Sequence, residues 1–202
     1  VKLLPSAEHA SRRLIAVRAL LRHWEQTWAR RGAPSAQVTQ VVGASNLPAD
    51  IRSLSSLTKI DYADHLSYPT SINATAERWA RTMFGNIPDF AERLIWKGCL
   101  RLRLSPTPSP DTAGGWRIAA REPDWIRLEA ASWFLTGNLV VTASHGQASL
   151  TTCIRFEHPF GRVVWGALGP LHRLISPGFL PDAAAKIQKV EVATANGSAT
   201  RR

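Results

Sequence analysis

The sequence predicts an α+β fold, with a curved antiparallel sheet around a long C-terminal helix and an extra amphipathic helix ahead of it. Three observations carry this. The apolar period changes from helical to two residues after Gly115. Two consecutive hairpins follow. The apolar stretch "FGRVVWGALGPLHRLI" (160–175) comes after the last strand. It is the only large element left to cover the apolar face of such a sheet.

In chain order, residues 6–31 read as one helix that Ser6 can cap. Ala10, Leu14, Val17, Leu21, Trp24 and Trp28 form its apolar stripe, and Gly32 and Pro34 end it. Residues 33–56 are rich in Ser, Ala and Pro and read as a linker. A strand within 57–70 leads into a loop. Helices are expected over 74–86 and 87–104, the second with Pro88 in its first turn. The loop "SPTPSPDTAGG" (105–115) cannot be regular. In the first hairpin Trp116, Ile118 and Ala120 alternate with Arg117 and Arg121, and Ile126 and Leu128 with Arg127 and Glu129. One face is expected to be wet. In the second, Leu150, Thr152, Ile154 and Phe156 share one face, and Thr151, Cys153 and Arg155 the other. Gly137 marks a bulge or a close approach. Gly166, Gly169 and Pro170 thin and kink the last helix. The domains expected are a helix over 1–32, a linker over 33–56, the folded domain over 57–182, and a partly disordered tail over 183–202.

The 202 residues are 45% apolar, enough for a core. The net charge of +10 is concentrated at the ends: +5 over 1–31 and +4 over 158–202. That pattern suits basic arms better than a basic face on the central domain. The chain begins at Val1 and its one methionine is Met83, as expected of a trimmed chain or a non-Met start codon. Cys99 and Cys153 have no metal-like or CxxC spacing. No signal-peptide pattern and no spanning apolar run is seen. A cytoplasmic protein with buried thiols is expected.

The motifs "DYADHL" (61–66), "TAERWARTMFG" (75–85), "GWRIAAREPDWIRLEA" (115–130) and "LTTCIRFEHPFGRVVWGALGPLHRLISP" (150–177) carry a resemblance. Over residues 57–180 the chain resembles an uncharacterised actinobacterial branch, a domain of unknown function, of the START and polyketide-cyclase-like superfamily (SRPBCC, helix-grip). The "GR…W…GPLHRLI" pattern is the most specific part. The resemblance implies a helix-grip fold with a cavity between sheet and C-terminal helix. It implies no reaction.

Trp133, Thr152, Trp165, Leu168 and His172 are the expected walls and polar anchor of that cavity, for a lipid, polyketide or similar hydrophobic metabolite. His172 is a weak candidate acid–base in a cyclase or hydratase. The preferred role for it is structural, capping a carbonyl freed by Pro170. Asp61, Tyr62, Asp64 and His65 form a polar cluster. Alternation puts Tyr62 and Asp64 on one face, so a joint metal site is not expected, and a polar contact to the neighbouring strand is. There is no nucleophile elbow, P-loop or dinucleotide fingerprint. No cofactor is expected. The eight tryptophans fit a core or a flat ligand's walls. Nucleic-acid binding is not expected, because the strands lack a stacking platform. Two other readings remain: an enzyme using His172, and an interaction protein with a filled pocket whose residues 6–31 meet a partner or membrane surface.

Overall fold

The structure, a computed structural model, describes residues 38–85, 94–144 and 146–199. The helix expected over 6–31 lies outside them. Seven strands form one antiparallel sheet in the order β1-β2-β7-β6-β5-β4-β3. They are β1 (Thr39–Val42), β2 (Tyr62–Pro69), β3 (Thr112–Ala113), β4 (Trp116–Arg121), β5 (Trp125–Ala131), β6 (Leu135–Ser144) and β7 (Gln147–Phe156). The helices are α1 (Ala49–Ser53), α2 (Ala76–Phe84), α3 (Pro159–Ile175) and α4 (Phe179–Ala199). The fold class is α+β, as expected.

Strands β4 to β7 form the meander that the two-residue period predicts. β2 returns to pair with β7, in register Tyr62↔Ile154 and Asp64↔Thr152. That pairing puts Tyr62, Asp64 and Leu66 on the inner face with Leu150, Thr152 and Ile154. At Gly137 the strand pairing is unbroken. A Cβ there would lie 3.2 Å from the Trp116 ring. Gly137 therefore admits an indole rather than marking a bulge; the register shift lies between Ile118 and Ala120.

The main core lies on the inner face. Trp79, Met83 and Phe84 enter it from α2. Thr75 caps that helix, its hydroxyl accepting from the Arg78 N–H at 3.2 Å. Leu180, Ala183, Ala184 and Ile187 enter from α4. Their i, i+3, i+4, i+7 spacing makes one narrow buried stripe. Helix α3 contributes Trp165 and Leu168.

Four expectations need correction. The stretch 33–56 is not a plain linker: β1 extends the sheet and α1 follows it. With the residues after it, this stretch covers part of the sheet's outer face, so that face is not simply wet. Leu47 packs there on Ala63 and Cys153. Asn138 Oδ1 accepts from Ser55 Oγ (2.8 Å) and the Ser56 N–H (2.9 Å). The helix expected over 87–104 lies partly outside the described residues. Within them it is one π-helical turn, Leu94–Cys99, and 100–104 is neither helix nor strand. Leu100, Leu102 and Leu104 are buried there while Arg101 and Arg103 are exposed. That two-residue period is incompatible with a helix face. Finally, the tail expected from 183 is mostly helix α4, whose buried stripe docks it.

Candidate functional site

The chemically richest point is where α3 crosses β2 and β7. Helix α3 starts at Pro159, in the first turn where its missing N–H costs nothing. His158 precedes it, its Nδ1 accepting from the Phe160 N–H at 3.1 Å. Trp165, Gly169 and His172 follow at helical spacing and face the sheet.

His172 Nε2 lies 2.9 Å from Asp64 Oδ2 and 3.4 Å from Thr152 Oγ1. Asp64 is fully buried and His172 half-buried. His172 therefore turns to a carboxylate on the sheet, which replaces the expected cap on a carbonyl freed by Pro170. Donation from Nε2–H to Asp64 leaves Nδ1 as the lone-pair nitrogen of the neutral ring.

Two rings, Tyr62 and Trp165, close around this pair. Tyr62 and Trp165 meet edge-on with centroids 4.9 Å apart, and Trp165 and His172 are 5.3 Å apart. A Cβ on Gly169 would lie 3.3 Å from Trp165 Nε1 and 3.4 Å from Arg173 Nη1. The glycine lets both groups sit against the helix. Burial, and then the negative charge of Asp64, raise the pKa of Tyr62; Arg173 opposes this. Tyr62 therefore stays a neutral phenol.

Two buried polar atoms here, Asp64 Oδ1 and Trp165 Nε1, have no hydrogen-bond partner, and the Tyr62 hydroxyl, also outside good hydrogen-bond geometry, already interacts with Asp64 and Arg173. Buried polar atoms are normally paired. The indoles of Trp79 and Trp116 are also unpartnered, so one orphan N–H identifies nothing. What sets this place apart is convergence: an acceptor, a hydroxyl and a donor meet beside a histidine. Such a set matches a small polar group that both donates and accepts, within apolar walls.

Of the five expected residues, Thr152, Trp165 and His172 come together here. Leu168 is buried in the main core. Trp133 does not line this site. It lies in the turn between β5 and β6, is 56% exposed, and stacks on Phe160 at 5.5 Å. Gly166 also points away: it is exposed, with open space around a would-be Cβ. Sequence reasoning missed Asp64, Tyr62 and Arg173 as site members. The shared face of Tyr62 and Asp64 was the available signal.

The other polar residues of this strand are structural. His65 Nδ1 lies 2.8 Å from Thr151 Oγ1 on the neighbouring strand, and burial lowers its pKa. Asp61 accepts from the Phe156 N–H at 2.9 Å and pairs with Lys59. Its pKa is lowered, chiefly by the Lys59 hydrogen bond. Burial pushes the Cys153 thiol up to about 11, as befits a packing residue. Among the described residues no cluster of three His, Cys, Asp or Glu side chains could hold a metal, and no helix is long and apolar enough to cross a membrane. Comparison of the chain with protein-family models, curated proteins and solved structures found no match.

Proposed function

We propose that this chain is a helix-grip, START-like binding protein for a small hydrophobic metabolite. The ligand's apolar body lies between the sheet and α3, and its polar head meets Asp64, Tyr62, Trp165 and His172. The observation that carries the reading is the convergence of the unpartnered Asp64 Oδ1 and Trp165 Nε1, with the Tyr62 hydroxyl beside them, on the Asp64–His172 pair. A hydroxyl or protonated acid head would donate to Asp64 Oδ1 and accept from Trp165 Nε1. The seven-stranded sheet followed by C-terminal helices is compatible with such a fold. We place the protein in a reducing cytoplasm.

Native mass spectrometry of protein from its host, with thermal melts across fatty acids and polycyclic phenols, tests this. A ligand at a hundred times its Kd stabilises by about 2.7 kcal/mol, a rise of several degrees in Tm. Asp64→Leu abolishes that rise. A clean apo mass with no Tm gain across the panel sinks the proposal.

A second reading has a specific observation behind it. Asp64 holds the His172 imidazole in one tautomer, which is the base–orienter arrangement of general acid–base catalysis. His172 would then move a proton in a cyclase or hydratase reaction, with Tyr62 and Trp165 as donors to a developing oxyanion. Full activity in a His172→Gln protein, in any assay found, eliminates that role.

A further inference from the structure

A second surface, independent of the Asp64 site, stands at one end of the sheet. The β5–β6 turn carries Trp133, and α3 begins beside it: the Glu157 N–H donates to the Phe134 carbonyl at 2.9 Å. Trp133 stacks on Phe160 at an interplanar angle of 12°. These side chains and Val163 are 56, 44 and 71% exposed. Phe160 and Val163 are one helical turn apart, so this is a contiguous apolar tip. Isolated exposed apolar residues are ordinary, but clustered aromatics are not.

The surrounding charge is basic. The Arg103 N–H donates to the Ala131 carbonyl at 3.0 Å, which places exposed Arg101 and Arg103 beside the strand end that leads into Trp133. Arg162 adjoins Val163 on α3, its side chain 66% exposed. The carboxylates described at this end are already engaged: Asp61 by Lys59 and Arg162, Glu157 by Arg155 and Thr136. Exposed aromatic side chains with arginines nearby match the interface of an anionic bilayer, where rings sit at headgroup depth and cations meet lipid phosphates.

We infer that the Trp133–Phe160–Val163 tip docks this protein onto anionic lipid surfaces. The contact is peripheral. Its apolar part inserts to headgroup depth, and Arg101, Arg103 and Arg162 supply the attraction.

Co-sedimentation of the full chain with vesicles tests this, using phosphatidylcholine alone and with one-third phosphatidylglycerol. The wild type is expected to bind only the anionic vesicles, less so as salt rises. Trp133→Ser with Val163→Ser should weaken partitioning by about tenfold, and Arg103→Gln by about fivefold. Unchanged thermal melts would show that these exposed substitutions leave the fold intact. Equal binding to neutral vesicles overturns the inference. So does undiminished binding by the tip variants, which would assign the contact to another part of the chain such as residues 6–31. If the wild type ignores vesicles but forms a dimer that Trp133→Ser dissolves, the tip serves a second copy and the lipid assignment fails.

Discussion

Helices α3 and α4 follow one another, separated only by the Ser176–Gly178 turn, yet they divide their work in opposite ways. α3 is the more apolar by eye, with Val163, Val164, Trp165, Leu168, Leu171, Leu174 and Ile175. It nonetheless leaves Phe160, Val163 and Leu174 exposed and spends its buried face on Trp165, Leu168 and the polar His172 contact. α4 carries Lys186, Lys189 and Glu191 and looks unremarkable, but Leu180 and Ile187 are among the most buried side chains described. Overall hydrophobicity therefore does not say which helix seals a sheet. Placement of a narrow stripe does.

The largest expected effect tests that division directly. Leu180→Ala on α4 should cost about 3 kcal/mol, by lost transfer energy and the cavity left behind. Leu174→Ala on α3, where the side chain is 65% exposed, should stay within about 0.5 kcal/mol. Urea unfolding of the two variants compares them. Equal losses would contradict this division between the helices.

Next comes the polar contact that only α3 makes. His172→Ala leaves the Asp64 carboxylate buried without its partner and should cost about 2 kcal/mol. Asp64→Leu combined with His172→Leu should cost less than the sum of the two single changes, because no orphaned charge remains. A double-mutant cycle by denaturant unfolding reads the coupling. Strict additivity would contradict the pairing.

Within α3, two glycines contrast in the same way. A Cβ on Gly161 would lie 2.6 Å from the Phe134 carbonyl oxygen, whereas one on Gly166 meets nothing within 4 Å. Gly161→Ala should destabilise by about 1–3 kcal/mol. Gly166→Ala should stabilise by about 0.5–1 kcal/mol through helix propensity and reduced unfolded-state entropy. Thermal melts of the pair settle the signs.

The smallest effect sharpens the contrast between these helices and the sheet's outer face, where His65 lies. Its folded pKa is lowered from 6.5 by burial. The unfolded chain therefore takes up that proton first as pH falls. Stability from this group is fully present above 6.5 and is lost as pH drops from there through the lower folded value. His65→Gln should flatten the decline of the urea midpoint between pH 7 and 5. A slope identical to wild type would show that His65 contributes nothing in that window.

The sheet was legible because its signal is local. Alternation in Trp116–Arg121 and Trp125–Ala131, and the turns between them, follow from backbone geometry and need no distant partner. α4 was also legible in principle, since Leu180, Ala183, Ala184 and Ile187 hold helical spacing. The polar-rich end after Lys189 masked it. Residues 100–104 were misread because a helical pattern was carried into Leu-Arg-Leu-Arg-Leu, a two-residue period. The site was half legible: His172, Thr152 and Trp165 stood out by residue type.

The sequence by itself determined the α+β class, the strand pattern of the meander, and which polar residues share the face of β2. All of these are set by short-range periodicity and backbone preference. Only the tertiary structure decided that Asp64 meets His172 across 108 positions of chain, that β1 joins the sheet while residues after it cover part of the outer face, and that Trp133 faces solvent. Pairing between distant elements depends on how whole faces pack, and no local period encodes it.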